Sequence, residues 1–158
     1  MQSVRLDKLT FSWDPADPDG FRAGQARIGA ELGARRTGTT VYELPPGQAV
    51  CPYHFEYGEE EWLLVLDGRP SVRTPDGTRQ LEPRELMFFP TGPAGAHQVR
   101  NDSDAPALVV MWSEVVSPTA TAYPDSEKVG VYVRDENGLV FRRASTVGYF
   151  DGEPGAQA

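Results

Sequence analysis

The chain has 158 residues, 39% of them hydrophobic, with 23 acidic against 15 basic side chains and a formal charge of −8. That length suits one domain with a single core, and the acidic balance argues against a nucleic-acid partner, which needs a cationic face. The lone Cys51 excludes an intrachain disulfide framework and a cysteine-rich zinc site. No apolar run approaches the ~18 residues of a membrane span, and the N-terminus lacks the apolar stretch of a signal peptide, so no membrane partner and a cytoplasmic location are expected.

The 16 glycines and 14 prolines punctuate short apolar runs, which is the rhythm of an all-β domain. Residues 1–36 are the least regular and are expected to form an arm packed on the main body. Within them 14–20 is a turn-rich loop, and 26–34 fits a weak helix or a Gly-interrupted strand equally well. From Thr37 the pattern sharpens. Residues 37–44 predict a strand ended by Pro45-Pro46-Gly47. Residues 60–68 predict a buried strand ended by Asp67-Gly68. A hairpin over 70–82 turns at Thr74-Pro75-Asp76-Gly77. Strands follow at 85–90, 95–101 and 106–114, and 128–144 reads as a hairpin about Asn137-Gly138. The last eight residues are expected to fray. About ten strands and no long helix predict a sandwich or barrel over 37–150.

Only two histidines are present, His54 and His97, and only two lysines, Lys8 and Lys128. Histidine chemistry therefore rests on one or both of that pair. In a strand, residues two apart share a face, so His54 and Glu56 can converge on one ion. A turn at Tyr57-Gly58 would bring Glu61 back beside them, and His97 would come from another hairpin. His54, Glu56 and His97 have the make-up of a two-histidine, one-carboxylate triad, which leaves positions open for substrate and dioxygen. By the same parity Cys51 faces away from His54 and reads as a packed thiol, with Tyr53 and Tyr57 as outer-face aromatics. Trp62, Phe88 and Met111 read as core packing. Asn101 reads as the organiser of the turn after His97, and Arg35-Arg36 and Arg142-Arg143 as surface pairs.

These residues carry a resemblance. Gly47, His54, Glu61 and Gly68, with six residues between the last two, are similar to the first motif of the cupin superfamily. Pro90-Thr91-Gly92, His97 and Asn101 are similar to its second. The resemblance covers about 37–115, and the tail resembles small single-domain bacterial cupins labelled as sugar-phosphate isomerases. There are three departures. Glu56 stands where the motif has a second histidine. Arg84-Glu85 stand where Gly-Asp is usual. The gap from Gly47 to His54 is six residues rather than five.

The resemblance implies a jelly-roll β-barrel and a homodimer. It also implies one divalent ion (Fe, Mn, Zn or Ni) on His54, Glu61 and His97, with Glu56 as a fourth ligand or nearby carboxylate. The expected function is a metal-dependent enzyme acting on a small molecule, with Glu56 or Glu61 moving a proton. Isomerase, dioxygenase, decarboxylase and cyclase chemistry all stay open. Two other readings are a non-catalytic small-molecule-binding cupin and a metal-free epimerase-type cupin with a histidine as base.

Overall fold

A computed structural model of the chain describes residues 1–155. Its strands are β1 (Gly24–Ala26), β2 (Thr37–Leu44), β3 (Phe55–Glu56), β4 (Glu61–Asp67), β5 (Ser71–Thr74) and β6 (Gly77–Gln80). They continue with β7 (Leu86–Phe89), β8 (Gln98–Arg100), β9 (Ala107–Glu114), β10 (Thr119–Tyr123), β11 (Lys128–Tyr132) and β12 (Leu139–Arg142). All pairings are antiparallel. The sheets run β1-β2-β9-β4-β7, β12-β11-β10-β3 and β6-β5-β8. This is the expected all-β, jelly-roll class, built as three sheets rather than one closed barrel.

Period-2 alternation decides the core. On β4, Leu63 and Val65 point inward; on β9, Ala107, Val109 and Met111 do; on β2, Leu44 does. They meet Val72, Leu81 and Val99 from the three-stranded side. The alternate residues of β4 and β9 (Leu64, Leu66, Leu108, Val110, Trp112) are apolar too, so the outer face also needs cover. The N-terminal arm supplies it through Val4, Leu9, Phe11 and Ile28. The undecided stretch 26–34 is both things at once: Ala26 closes β1, and Ile28–Glu31 make one helical turn, α1.

Three sequence expectations are corrected. The 128–144 hairpin forms, but Val131 pairs with Leu139, so its loop is longer than an Asn-Gly turn. Strand β10 has no counterpart in the sequence reading. Phe88 is 41% exposed rather than packed in the core. Arg84 shows how the departure from the family motif is tolerated. Its φ is +73°, and Glu85 N–H bonds Glu82 O at 3.1 Å, so Glu82-Pro83-Arg84-Glu85 is a type II turn with a non-glycine at the left-handed position. Of the tail, 151–155 forms turns, and the last three residues lie outside the described ones.

Candidate metal centre

His54 and His97 face each other across an isolated antiparallel bridge. His54 N–H donates to His97 O at 3.1 Å, and His97 N–H to His54 O at 2.8 Å. Each imidazole is fixed the same way: its Nδ1 bonds the carbonyl two residues earlier. The partners are Pro52 O at 3.0 Å for His54 and Gly95 O at 2.9 Å for His97. A carbonyl only accepts, so Nδ1 carries the proton and Nε2 is left for another partner. Gly95 can fill its place only as glycine, because a Cβ there would stand 1.7 Å from Pro90 O. Phe89 backs the His97 ring at 3.7 Å between centroids.

Glu61 opens β4 on its inward face, where the apolar row ends and the barrel mouth begins. Its Oε2 lies 3.6 Å from His54 Nε2 and 3.5 Å from His97 Nε2. Donors held about 2.0–2.2 Å from a common ion stand roughly 3–3.5 Å apart, which is close to this spacing. The donor atoms of His54, Glu61 and His97 all lie within 4.8 Å of one another. His97 Nε2 is buried without a hydrogen-bond partner, an orphan that a metal would satisfy. The donor set fits a divalent ion.

Glu56 does not join that group. Its nearest oxygen is 3.8 Å from His54 Nε2, and both oxygens lie on the Thr121 hydroxyl, at 2.8 and 2.7 Å. Thr121 sits directly opposite Glu56 in the β3–β10 register.

The charges differ across the site. Burial pushes the Glu56 carboxyl up to about 7, against the Thr121 bond. Burial also raises Glu61, but the nearby His54 and His97 imidazoles outweigh it and hold Glu61 below its ordinary range. Burial, reinforced by His54, drives His97 down to about 4, so it is neutral at pH 7. For His54 burial works downward, but the Cys51 sulfur and Glu61 overcome it and raise the group.

That sulfur corrects the parity argument. Cys51 Sγ is 3.4 Å from His54 Nδ1, because 51–53 is a bend rather than a strand and two-residue alternation does not apply. Asn101 is wholly buried: its Nδ2 donates to Leu44 O and Ala105 O, both at 2.8 Å, and its Oδ1 accepts from Ser103. It ties the turn after β8 to the end of β2.

A chamber of about 460 Å³ opens onto His54 and Glu56, walled by Thr121, Tyr123 and Tyr132. A second hollow of about 230 Å³ reaches His54 and Glu61 from the β2–β9 side, past Tyr42 and Met111. The sequence reading missed Thr121, Tyr123 and Tyr132. The one signal was the alternation Thr119-Ala120-Thr121-Ala122-Tyr123, polar on one face and small on the other.

Residues 40–113 match the Cupin_2 family, described as the cupin domain. Those residues, just under half of the chain, are a cupin domain. No curated protein matches the chain's sequence. Solved structures do match. The sugar phosphate isomerase from a cupin superfamily of Silicibacter pomeroyi superposes with a TM-score of 0.81 at 19% identity, over 95% of this chain and 98% of that one. The polyketide cyclase RemF from Streptomyces resistomycificus gives 0.59 at 21%, over 72% and 79%. A predicted oxalate decarboxylase from Thermotoga maritima gives 0.56 at 17%, over 73% and 100%. At these identities the likeness is one of fold, and three names on one fold leave the reaction open.

Proposed function

We propose that this cupin is an enzyme holding one divalent ion on His54, Glu61 and His97 and acting on a small molecule in the 460 Å³ chamber. The observation that carries it is the shared geometry of the two imidazoles. Both Nδ1 atoms are tied to backbone, both Nε2 atoms lie within 3.6 Å of one Glu61 oxygen, and His97 Nε2 is otherwise orphaned. Iron, manganese, zinc and nickel all accept such a donor set. When bound, the ion supplies Lewis acidity toward a carbonyl or hydroxyl oxygen of the substrate.

Glu56 is the residue that moves a proton. It faces the chamber, is held by Thr121, and is raised by burial in the metal-free protein, which favours a group that can both give and take a proton. The Thr121 hydroxyl engages both of its oxygens, so the substitution of the motif's second histidine gives the site an acid–base group in place of an imidazole. Isomerisation, ring closure and decarboxylation, the reactions in the neighbours' names, each need a proton placed on or taken from a carbon beside a polarised oxygen.

Metal analysis of protein purified without chelator tests this reading. Wild type and Glu56→Gln are expected to carry about one equivalent of ion, and His97→Ala essentially none. Wild type that stays metal-free after anaerobic Fe(II), Mn(II) and Zn(II) addition overturns it. A small molecule that raises the melting temperature without being changed would favour the binding-only reading. The chain is proposed to act as a homodimer, supported by Leu139, Val140 and Phe141, which leave both faces of edge strand β12 apolar and exposed. Light scattering at the monomer mass would reject that.

A further inference from the structure

The chamber wall supplied by β10 and β11 has hydroxyl donors left over, the buried Thr119 Oγ1 among them. The Tyr123 and Tyr132 hydroxyls lie 2.8 Å apart. In such a pair one hydroxyl donates and the other accepts, so the accepting hydroxyl keeps a proton for a third group. The pair is built in. A Cβ on Gly130 would stand 2.7 Å from the Tyr132 ring and one on Gly138 2.6 Å from it, so both positions must be bare for the ring to lie there. The Tyr123 ring stacks on His54 at 6.2 Å, which sets the hydroxyl pair beside the metal ligands.

The outer rim is also rich in donors. Ser117 Oγ accepts the Arg134 backbone N–H at 2.7 Å and keeps its own proton. Among the described residues Arg134 is the only lysine or arginine lining this chamber, and its guanidinium has no acidic partner. Each of the two chamber carboxylates already accepts a hydrogen bond, Glu56 from Thr121 and Glu59 Oε1 from Val116 N–H at 3.0 Å.

We infer that the chamber receives an acceptor-rich organic anion. Its phosphate or carboxylate group lies at Arg134 and Ser117, and a hydroxyl or carbonyl oxygen lies at the Tyr123–Tyr132 pair. An apolar ligand would strand these donors without partners, and a cation would meet Arg134. On a chain of net charge −8, a local guanidinium is what lets an anion approach. The inference rests on the reading of this chamber as the substrate chamber.

Isothermal titration with three probes tests it: D-ribose 5-phosphate, D-gluconate and uncharged D-ribose. Each is run on chelator-treated and on zinc-loaded protein. At least one anion is expected to bind saturably, at least about tenfold more tightly than D-ribose. Arg134→Ala is expected to weaken anion binding about tenfold, with most of it kept in Arg134→Lys. Arg143→Ala, a cation outside this chamber, is expected to bind as wild type does. Tyr132→Phe is expected to weaken anion and neutral sugar alike, with an unchanged melting temperature showing that the fold is intact. Which anion binds distinguishes phosphate from carboxylate. Failure of both anions to bind, or undiminished binding by Arg134→Ala, overturns the inference. Arg134-dependent binding in a protein that takes up none of Fe(II), Mn(II) and Zn(II) sustains it while rejecting the metal reading above.

Discussion

The five-stranded and four-stranded sheets meet at the same site but are built differently. The five-stranded sheet is apolar on both faces. Leu63, Val65 and Val109 are sealed in the core on one side, and the N-terminal arm covers Val110 and Trp112 on the other. The four-stranded sheet buries Phe55 and Ala122 on one side and leaves every residue of β12 exposed. The covered sheet supplies Glu61, which must hold its position to a fraction of an ångström to serve as a ligand. The thin sheet supplies Thr121, Tyr123 and Tyr132, which face the chamber and whatever enters it. Rigidity and recognition are thus proposed to fall to different sheets, while the two histidines sit on an isolated bridge that joins the entry of β3 to the entry of β8 in the three-stranded sheet.

The largest test of that contrast is a pair of truncations. Leu63→Ala leaves a void in a sealed core and is expected to cost about 3 kcal/mol by urea denaturation. Leu139→Ala, the same chemistry on β12, is expected to stay within about 0.5 kcal/mol in the monomer. Equal losses in the monomer would mean that β12 is packed within the subunit and that the two sheets are alike.

Glu56 sharpens the comparison on the thin sheet. Its folded value near 7 lies above its ordinary 4.5. Below pH 4.5 the carboxyl is neutral in both folded and unfolded chains, so nothing is lost. Between 4.5 and 7 the unfolded chain gives up this proton while the folded chain keeps it, so stability falls across that window and levels off above it. In metal-free protein Glu56→Gln is therefore expected to match wild type near pH 4 and exceed it by about 2 kcal/mol at pH 8. A constant difference across that range would show that Glu56 is not held in a desolvated place.

The smallest effect belongs to the covered sheet's margin. Arg84 occupies a left-handed position at φ +73°. Arg84→Gly is expected to raise stability by about 1 kcal/mol, measured as a shift in melting temperature. A loss would mean that the Arg84 side chain makes a contact worth more than its strain.

The sequence was legible where one rule governed a stretch. Strand β2 falls on the expected residues 37–44 because Pro45-Pro46-Gly47 ends it, and the hairpin of β5 and β6 turns where Pro75 and Gly77 require. The Glu61–Gly68 spacing singled out Glu61 from the acidic run 59–61. Legibility failed where placement depends on partners distant in the chain. Strand β10 is held by β3 and β11, and Thr121 reaches Glu56 across 65 residues, a separation no local pattern records. Cys51 was misplaced because alternation was applied through a bend. The sheet with the dense core was readable, whereas in the four-stranded sheet only the β11–β12 hairpin was and β10 was not.

The central claim is that one divalent ion is held by His54, Glu61 and His97 while Glu56 stays with Thr121. A crystal structure of manganese-soaked protein, with anomalous data, tests it most directly. The account predicts a single strong anomalous peak about 2.0–2.2 Å from His54 Nε2, His97 Nε2 and a Glu61 oxygen, with the Glu56 carboxylate still on the Thr121 hydroxyl. A peak ligated by Glu56 in place of Glu61, or no peak between the two imidazoles, would contradict it.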